Sequence, residues 1–395
     1  MIVAYVLDRF PAISETFISD EIFSVMQAGV ACRVFSLEQR SMSVVHPRAK
    51  SVVDAGCVIP CAPRPVYRDV LSLVHVFVRH PARALRTLMQ LVRDKDHRWI
   101  ARAALAVASS SLRLGVDHLH AHYADTAAQV TLWAHRWTGL PFTFTTHGYD
   151  VFKTPPHNMR ELVDDATGMV CISHYNLRYL VDKFSVDVRK LHVIRCGIYT
   201  KEFENEIRVP KSTCVPLRLL TVARLVPEKG HQVLLQALRL LTDSGLAVHL
   251  KLAGDGPLKQ ELIDQTQRLG LEHSVEFLGE QTGLQVRQLF QECDLAVLAS
   301  LSESMGLVNM EGMASGRPVI ATAVLGVPEL VEDRVTGFLC PPGDPHAISQ
   351  TIQWILAHPE ETKAVLLRGK QRVETEFSRD ACTRQLIQLW QSSQR

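Results

Sequence analysis

Short runs of β-branched and apolar residues alternate with segments of helical period along almost the whole chain, and this alternation restricts the fold more than any other feature. It is the signature of βα units, which build a parallel sheet with helices on both faces. The pattern occurs twice. In the first half strands are expected near Ile2 to Leu7, Cys32 to Phe35, His118 to His120, Phe142 to Thr145, Met169 to Ile172 and His192 to Ile194. In the second half they recur near Leu217 to Val222, Val248 to Ala253, Val275 to Leu278, Leu295 to Leu298, Pro318 to Ala321 and Gly337 to Leu339. The stretch Tyr199 to Pro216 between them is polar, charged and proline-bearing, and reads as a linker. The expected architecture is α/β, with two doubly wound Rossmann-like domains facing a central cleft. Residues 1–205 form the first domain and 206–377 the second, while a final helix in 378–395 packs back on the first. In such sheets ligands bind beyond the carboxyl ends of the strands, so the chemistry is sought there.

The remaining composition mostly excludes. A chain of 395 residues is too long for one ordinary core. Its 43 Lys plus Arg against 41 Asp plus Glu give no global case for nucleic acid as a partner. The nine cysteines are odd in number and scattered, which signals neither a disulfide framework nor a zinc site. The N-terminus runs straight into a strand, without the basic start and apolar middle of a secretory signal. The most apolar helical stretches, Val70 to Val78 and Ile100 to Leu112, fall short of the roughly 20 residues of a membrane span. A cytoplasmic location is therefore expected.

The most informative segment is Glu303-Ser-Met-Gly-Leu-Val-Asn-Met-Glu311, followed by Gly316-Arg-Pro318. A strand leads into a Ser-rich loop holding Glu303, and a helix then starts near Gly306 and carries Glu311. Unpaired amides at a helix start suit an anionic or hydroxyl-rich ligand. If the interval is mostly helical, the two carboxylates lie up to roughly 12 Å apart along the axis. Retaining glycosidases need theirs about 5 Å apart. Two grips on one extended ligand fit better, with Glu303 on sugar hydroxyls and Glu311 on a ribose diol, each carboxylate accepting from adjacent hydroxyls. Exposed helix charges alone would also give such a pair.

Upstream, Ala223-Arg224-Leu-Val-Pro-Glu-Lys229-Gly230 follows a strand. A departing diphosphate needs its negative charge neutralised, which a guanidinium and an ammonium at a helix start do without a metal. Arg224 and Lys229 are the candidates. Gly254-Asp-Gly-Pro257 and Gly326-Val-Pro-Glu329 give further turns at strand ends, and plain βα turns explain them equally well. In the first half Phe142 to Thr146 delivers His147-Gly-Tyr-Asp150 to a strand end. His147 there could hydrogen-bond a transferred sugar, polarise the reacting region, or serve structure alone. His120 and His122 look like a metal pair, but no acidic or cysteine partner stands at ligand spacing, so no metal is expected.

As an ordered set, Val222-Ala-Arg224 with Lys229-Gly230, Gly254 to Pro257, Glu303 to Glu311 with Gly316-Arg-Pro318, and Gly326 to Glu329 resembles the group 1 family of retaining GT-B glycosyltransferases. Phe10-Pro-Ala-Ile-Ser-Glu-Thr-Phe17, His120-Ala-His-Tyr123 and Thr146 to Asp150 resemble its bacterial exopolysaccharide branch, of the colanic acid and amylovoran type. The resemblance implies a nucleotide diphosphate sugar as donor, a glycan or polyprenyl-linked acceptor, and no cofactor or metal. It puts Arg224 and Lys229 on the diphosphate, Glu303 on the donor sugar, Glu311 on the ribose and His147 on the sugar from the opposite domain. Gly254, Met305, Gly306 and Leu307 complete the donor-binding set. It also implies a front-face reaction in which the leaving phosphate helps deprotonate the acceptor. Ala223 replaces a usual Gly, Met305 a common Phe and Tyr199 a frequent Asp, and the first loop lacks its glycine pair, leaving Ser14 to contact phosphate or acceptor. These departures bear on donor identity and leave the reaction class intact.

Two rivals share these features in part. A GT-B sugar-nucleotide epimerase would release nucleotide without an acceptor, and a non-catalytic sugar-binding or partner subunit would need no diphosphate clamp. On the acceptor side, Arg64 to Arg113 holds ten Lys or Arg, Arg79, Arg83 and Arg86 among them, against Asp69, Asp94 and Asp96. Interleaved with apolar residues, such helices suit peripheral contact with an anionic membrane, although solvated arginines on ordinary amphipathic helices give the same pattern.

Overall fold

The computed structural model describes residues 1–12, 15–38, 46–61, 65–93, 98–211 and 216–393. Ser14, Arg64, Asp94 and Asp96, named above, lie outside the described residues. The chain divides into two compact units, one of Met1–Arg195 with Cys382–Arg395 and one of Cys196–Ala381.

The first unit threads β1 (Ile2–Arg9), α1 (Thr16–Gln27), β2 (Ala31–Glu38), α2 (Pro47–Asp54), β3 (Val58–Pro60), α3 (Val66–Arg79), α4 (Pro81–Arg93), α5 (Arg98–Leu114), β4 (His118–His122), α6 (Thr126–Thr138), β5 (Phe142–Thr146), α7 (Met159–Asp165), β6 (Gly168–Cys171), α8 (His174–Phe184) and β7 (Leu191–Val193). Its seven strands are parallel in the order β3-β2-β1-β4-β5-β6-β7. Six of them coincide with the sequence expectation. The seventh, β3, went unread because three residues ending in Pro60 carry too little periodicity to show.

The second unit holds β8 (Leu217–Val222), α9 (His231–Asp243), β9 (Val248–Ala253), α10 (Lys259–Arg268), β10 (Val275–Gly279), α11 (Gly283–Glu292), β11 (Leu295–Leu298), α12 (Leu307–Ala314), β12 (Val319–Thr322), β13 (Phe338–Cys340), α13 (Pro345–Ala357) and α14 (Pro359–Glu376). Its six strands are parallel in the order β10-β9-β8-β11-β12-β13.

The chain passes to the second unit after Arg195, so the segment read as a linker belongs largely to that unit. Phe203 packs against Phe290 of α11, and the Arg208 amide donates to Gly316 O over 3.0 Å. The buried Arg317 guanidinium fastens this strap by donating to Glu206 O at 2.8 Å, to Phe290 O at 2.8 Å and to Gln291 O at 3.3 Å. Polarity in residues 199–208 therefore reflects surface packing and not a free connection, and residues 212–215 of the expected linker lie outside the described residues.

The last helix, α15 (Arg379–Ser392), packs on the first sheet. There β4 and β5 are buried along their length although they read His-Leu-His-Ala-His and Phe-Thr-Phe-Thr-Thr. Buried polar groups need partners, and these strands pair theirs with each other. His120 Nδ1 lies 2.7 Å from Thr143 Oγ1 and its Nε2 3.1 Å from Thr145 Oγ1. Trp390 Nε1 of α15 donates to Thr143 Oγ1 over 3.0 Å, and the Trp390 ring meets Tyr5 and His120 edge-on.

Candidate functional site

In both sheets the strand order reverses once, between β1 and β4 and between β8 and β11. At such a reversal neighbouring loops leave in opposite directions and open a crevice for ligands. Arg224 and Lys229 after β8, Glu303 after β11 and Tyr123 after β4 sit at these two places, while Gly254 follows β9, Gly326 β12 and His147 β5, each one strand away.

In the second unit, Arg224 and Lys229 follow β8, Glu303 follows β11, and Gly306 caps α12. The Lys229 ammonium pairs directly with the Glu303 carboxylate, so two groups read as separate grips are joined in the unliganded chain. The backbone is joined too, since Leu301 N donates to Glu228 O over 2.8 Å. Arg224 is exposed, and its carbonyl accepts from His231 Nε2 at 2.9 Å. Only Leu307 to Glu311 of the Glu303–Glu311 interval is helical, so the helical rise does not set the spacing of the two carboxylates. Glu311 is half-buried in α12. The Met305 side chain is buried in the core with Met310 and Met313 and is not exposed to a ligand. Sequence reading missed Asn309, which is buried with Nδ2 unpartnered beside Gly306.

Two glycines let these loops approach. A Cβ on Gly230, at φ +62°, would lie 2.0 Å from Ala299 O, and one on Gly254, at φ +140°, 2.0 Å from Ala223 O. Overpacking added to positive-φ strain sets the expected cost of Gly230→Ala at roughly 2–4 kcal/mol. Gly245→Ala is the control, since Gly245 has φ +84° with nothing within 4 Å of its Cβ position. Denaturant unfolding of the two variants checks this. Equal losses would show that the Ala299 carbonyl does not limit the site.

In the first unit His147 follows β5 and is 9 % exposed. Its amide donates to Asp150 Oδ1 at 3.0 Å, and its carbonyl accepts from Asn176 Nδ2 at 2.6 Å. Burial, with His122 adding to it, pushes its imidazole down to about 3. The expectation that His120 and His122 lack an acidic partner is corrected here. Glu21 of α1 brings a carboxylate to them, with His122 Nε2 3.0 Å and His120 Nε2 3.9 Å from Glu21 Oε1. One ligand atom from each of these three residues falls within 4.8 Å of the others. Glu21 stands 101 residues from His122, so spacing along the chain could not reveal it.

A cavity of about 390 Å³ opens beside the ends of β1 and β2, lined among others by Asp8, Glu38, Cys61, Trp99, Arg102 and Thr126. Asp8 Oδ1 is buried there without a hydrogen-bond partner. Burial, with Asp125, Glu15 and Glu38 nearby, pushes its carboxyl up to about 7. Among the described residues no helix is long and apolar enough to cross a membrane.

Solved structures place the architecture in the GT-B class. A glycosyltransferase from Rickettsia africae superposes with TM-score 0.77 at 19 % identity, covering 99 % of this chain and 98 % of that one. Anabaena Alr3699/HepE in complex with UDP gives 0.76 at 19 %, covering 99 % and 100 %. The family follows from sequence. Residues 203–372 match the model for glycosyl transferases group 1 and residues 57–202 that for Glycosyltransferase Family 4, so across residues 57–372 the chain belongs to these glycosyltransferase families. It is 32 % identical over 206 residues to the amylovoran biosynthesis glycosyltransferase AmsK of Erwinia amylovora, covering 51 % of this chain and 50 % of that protein. It is 30 % identical over 219 residues to the putative colanic acid biosynthesis glycosyltransferase WcaL of Escherichia coli, covering 54 % and 53 %. The chain thus spans about half the length of these curated relatives.

Proposed function

We propose that the chain is a retaining glycosyltransferase that moves a sugar from a nucleotide diphosphate donor to a glycan or polyprenyl-linked acceptor in the building of a surface polysaccharide. The observation that carries this is the gathering of Arg224, Lys229, Glu303 and the α12 start at the reversal of the second sheet. In this reading Arg224 and Lys229 hold the diphosphate, and Gly254 with the Met305 and Gly306 backbone lets it approach. The amide of Leu307, in the first turn of α12, adds a donor to it. Glu303 takes sugar hydroxyls, Glu311 the ribose diol, and His147 is a further sugar contact. The names of AmsK and WcaL and the UDP in HepE support the same class of donor and product.

The bond from the anomeric carbon to the β-phosphate oxygen breaks as the acceptor oxygen bonds the same face of that carbon. The acceptor proton passes to the departing phosphate, so no protein base is needed and nucleoside diphosphate leaves. Cations fixed where this charge develops stabilise the transition state more than the ground state. In the first unit the cavity at Asp8 and Glu38 offers carboxylates to acceptor hydroxyls, with Trp99 as a flat apolar wall. A cytoplasmic chain resting on the inner membrane face would meet such acceptors.

Nucleotide release from UDP-, GDP- and TDP-sugars, with and without polyprenyl diphosphate-linked glycans, tests the reading. Release only with acceptor, giving a product that keeps the donor's anomeric configuration, is expected. Acceptor-independent release with a rearranged free sugar identifies an epimerase instead, and no release from any donor identifies a non-catalytic subunit. Transfer is expected to persist in excess EDTA, because the charges facing the diphosphate belong to the protein. Loss in EDTA restored by magnesium or manganese overturns that part.

A further inference from the structure

β4 reads His-Leu-His-Ala-His, and residues two apart on a strand face the same side of the sheet, so His120 and His122 project together. Helix α1 brings Glu21 to that side, its Oε1 3.0 Å from His122 Nε2 and 3.9 Å from His120 Nε2. The donor atoms of the three residues lie within 4.8 Å of one another. Ligands on a tetrahedral zinc with bonds of about 2.0–2.1 Å stand about 3.3 Å apart, so side-chain shifts on the order of 1 Å close the set. Both imidazoles are buried and Glu21 is half-buried.

The far edge of each ring is held as a metal ligand requires. A histidine that gives one nitrogen to an ion keeps its proton on the other and donates it to an outer partner, which fixes the ring. His120 Nδ1 has Thr143 Oγ1 at 2.7 Å, and His122 Nδ1 has His147 Nε2 at 3.0 Å. The Tyr5 hydroxyl donates to Glu21 Oε1 over 3.1 Å and so orients the carboxylate as well. Thr145 Oγ1, 3.1 Å from His120 Nε2, gives up that contact when the nitrogen turns its lone pair to an ion.

The donor set selects the ion. Two imidazole nitrogens and one carboxylate suit zinc, whereas magnesium and calcium take oxygen ligands. The rings of Tyr5 and Trp390 pack against His120 at 5.4 and 5.3 Å, and that of Phe17 against His122 at 6.5 Å. Such an enclosure suits four-coordinate zinc better than an ion that retains several waters.

We propose that Glu21, His120 and His122 form a structural zinc site, with one solvent molecule as fourth ligand, that clamps α1 onto β4 where the first sheet reverses. The family resemblance implied no metal, and the diphosphate still needs none, since its cations belong to the second unit. The zinc belongs to the first unit alone. An ion that binds the folded chain and not the unfolded one stabilises the fold by mass action.

The test uses the full chain, stripped with dipicolinate, dialysed and titrated with zinc against a chromophoric chelator. One zinc per chain is expected, without competition from millimolar magnesium or calcium. Cobalt(II) in its place is expected to give the visible bands of a four-coordinate nitrogen and oxygen site, with no thiolate charge-transfer band, which separates this site from the cysteines. Glu21→Gln leaves an amide within reach of Tyr5 and His122 but removes the anionic ligand. It is expected to weaken zinc by more than the roughly 10- to 100-fold that loss of an outer partner costs. Zinc at a hundredfold excess over its Kd is expected to raise Tm by roughly 5–10 °C in the unaltered chain, and the same concentration to leave Glu21→Gln unmoved. Absence of stoichiometric zinc in the unaltered chain overturns the proposal without any variant needing to fold. Zinc held as tightly by Glu21→Gln and His122→Gln, or cobalt bands carrying thiolate charge transfer, places the ion elsewhere and overturns it too.

Discussion

Lys229→Ala and Arg224→Ala are each expected to lower kcat by about 10²- to 10³-fold, the loss seen when one preorganised donor to developing charge is removed. The two variants test different things. Arg224 is exposed and its backbone, not its side chain, anchors His231, so truncating it leaves the loop in place. Lys229 is paired with Glu303, so its removal also strands a half-buried carboxylate. Glu303→Gln separates the two effects, because it frees the ammonium without removing it. If Lys229 serves the diphosphate and Glu303 the sugar, Lys229→Ala lowers kcat for every donor carrying the same diphosphate. Glu303→Gln then changes the preference among sugars. Steady-state kinetics on a donor panel decide it. Near-native turnover in both alanine variants would remove the phosphate assignment, and equal, non-additive losses at Lys229 and Glu303 would show the ion pair to be purely structural.

That ion pair also shows where sequence reading stops. Both of its residues were visible because each sits in a motif at the carboxyl end of an apolar strand, and twelve of the thirteen strands could be read from β-branched runs. The glycines were visible as turn residues, while the clash that fixes Gly230 depends on Ala299, in a loop far along the chain. Contacts made by sheet order left no local trace. Glu21 lies in an amphipathic helix where a charge is unremarkable, and only the pairing of β1 with β4 brings it to His122. Likewise Arg317 reads as part of a motif but acts as a buried staple for residues 206–208, and Asn309 looks like one more polar helix residue. Local pattern reported the elements, and the side chains that elements exchange across a sheet stayed hidden.

Reversing Arg68, Arg79 and Arg86 to Glu is expected to weaken binding to anionic vesicles by roughly a hundredfold, at about 1 kcal/mol for each basic residue near a charged surface. The structure gives this expectation a surface that the sequence only hinted at. α3 is apolar on both sides: Val76, Leu73 and Phe77 face the core, while Val70, Leu71, Val74 and Val78 form a stripe exposed to solvent, Val78 by 77 %. Leu85 and Met89 on α4 and Trp99 at the start of α5 are exposed as well. A contiguous apolar patch left open to solvent marks an interaction surface. Arg68, Arg79 and Arg86 are exposed among these side chains, so the charge beside the stripe is positive. Arg83 also lies there but reaches over Gly139, and altering it would disturb packing, whereas Arg102 is already paired with Asp69 at 2.7 Å. An anionic bilayer satisfies both the apolar stripe and its arginines. Leu71→Gln with Val78→Gln is expected to weaken binding to the same vesicles at high salt, where the charge contribution is screened and the apolar one persists. Sedimentation with phosphatidylcholine vesicles, with and without phosphatidylglycerol, reads both effects. Equal binding to the two vesicle types, or binding unmoved by either set of substitutions, would end the docking reading and leave the assignment of transfer chemistry as it stands.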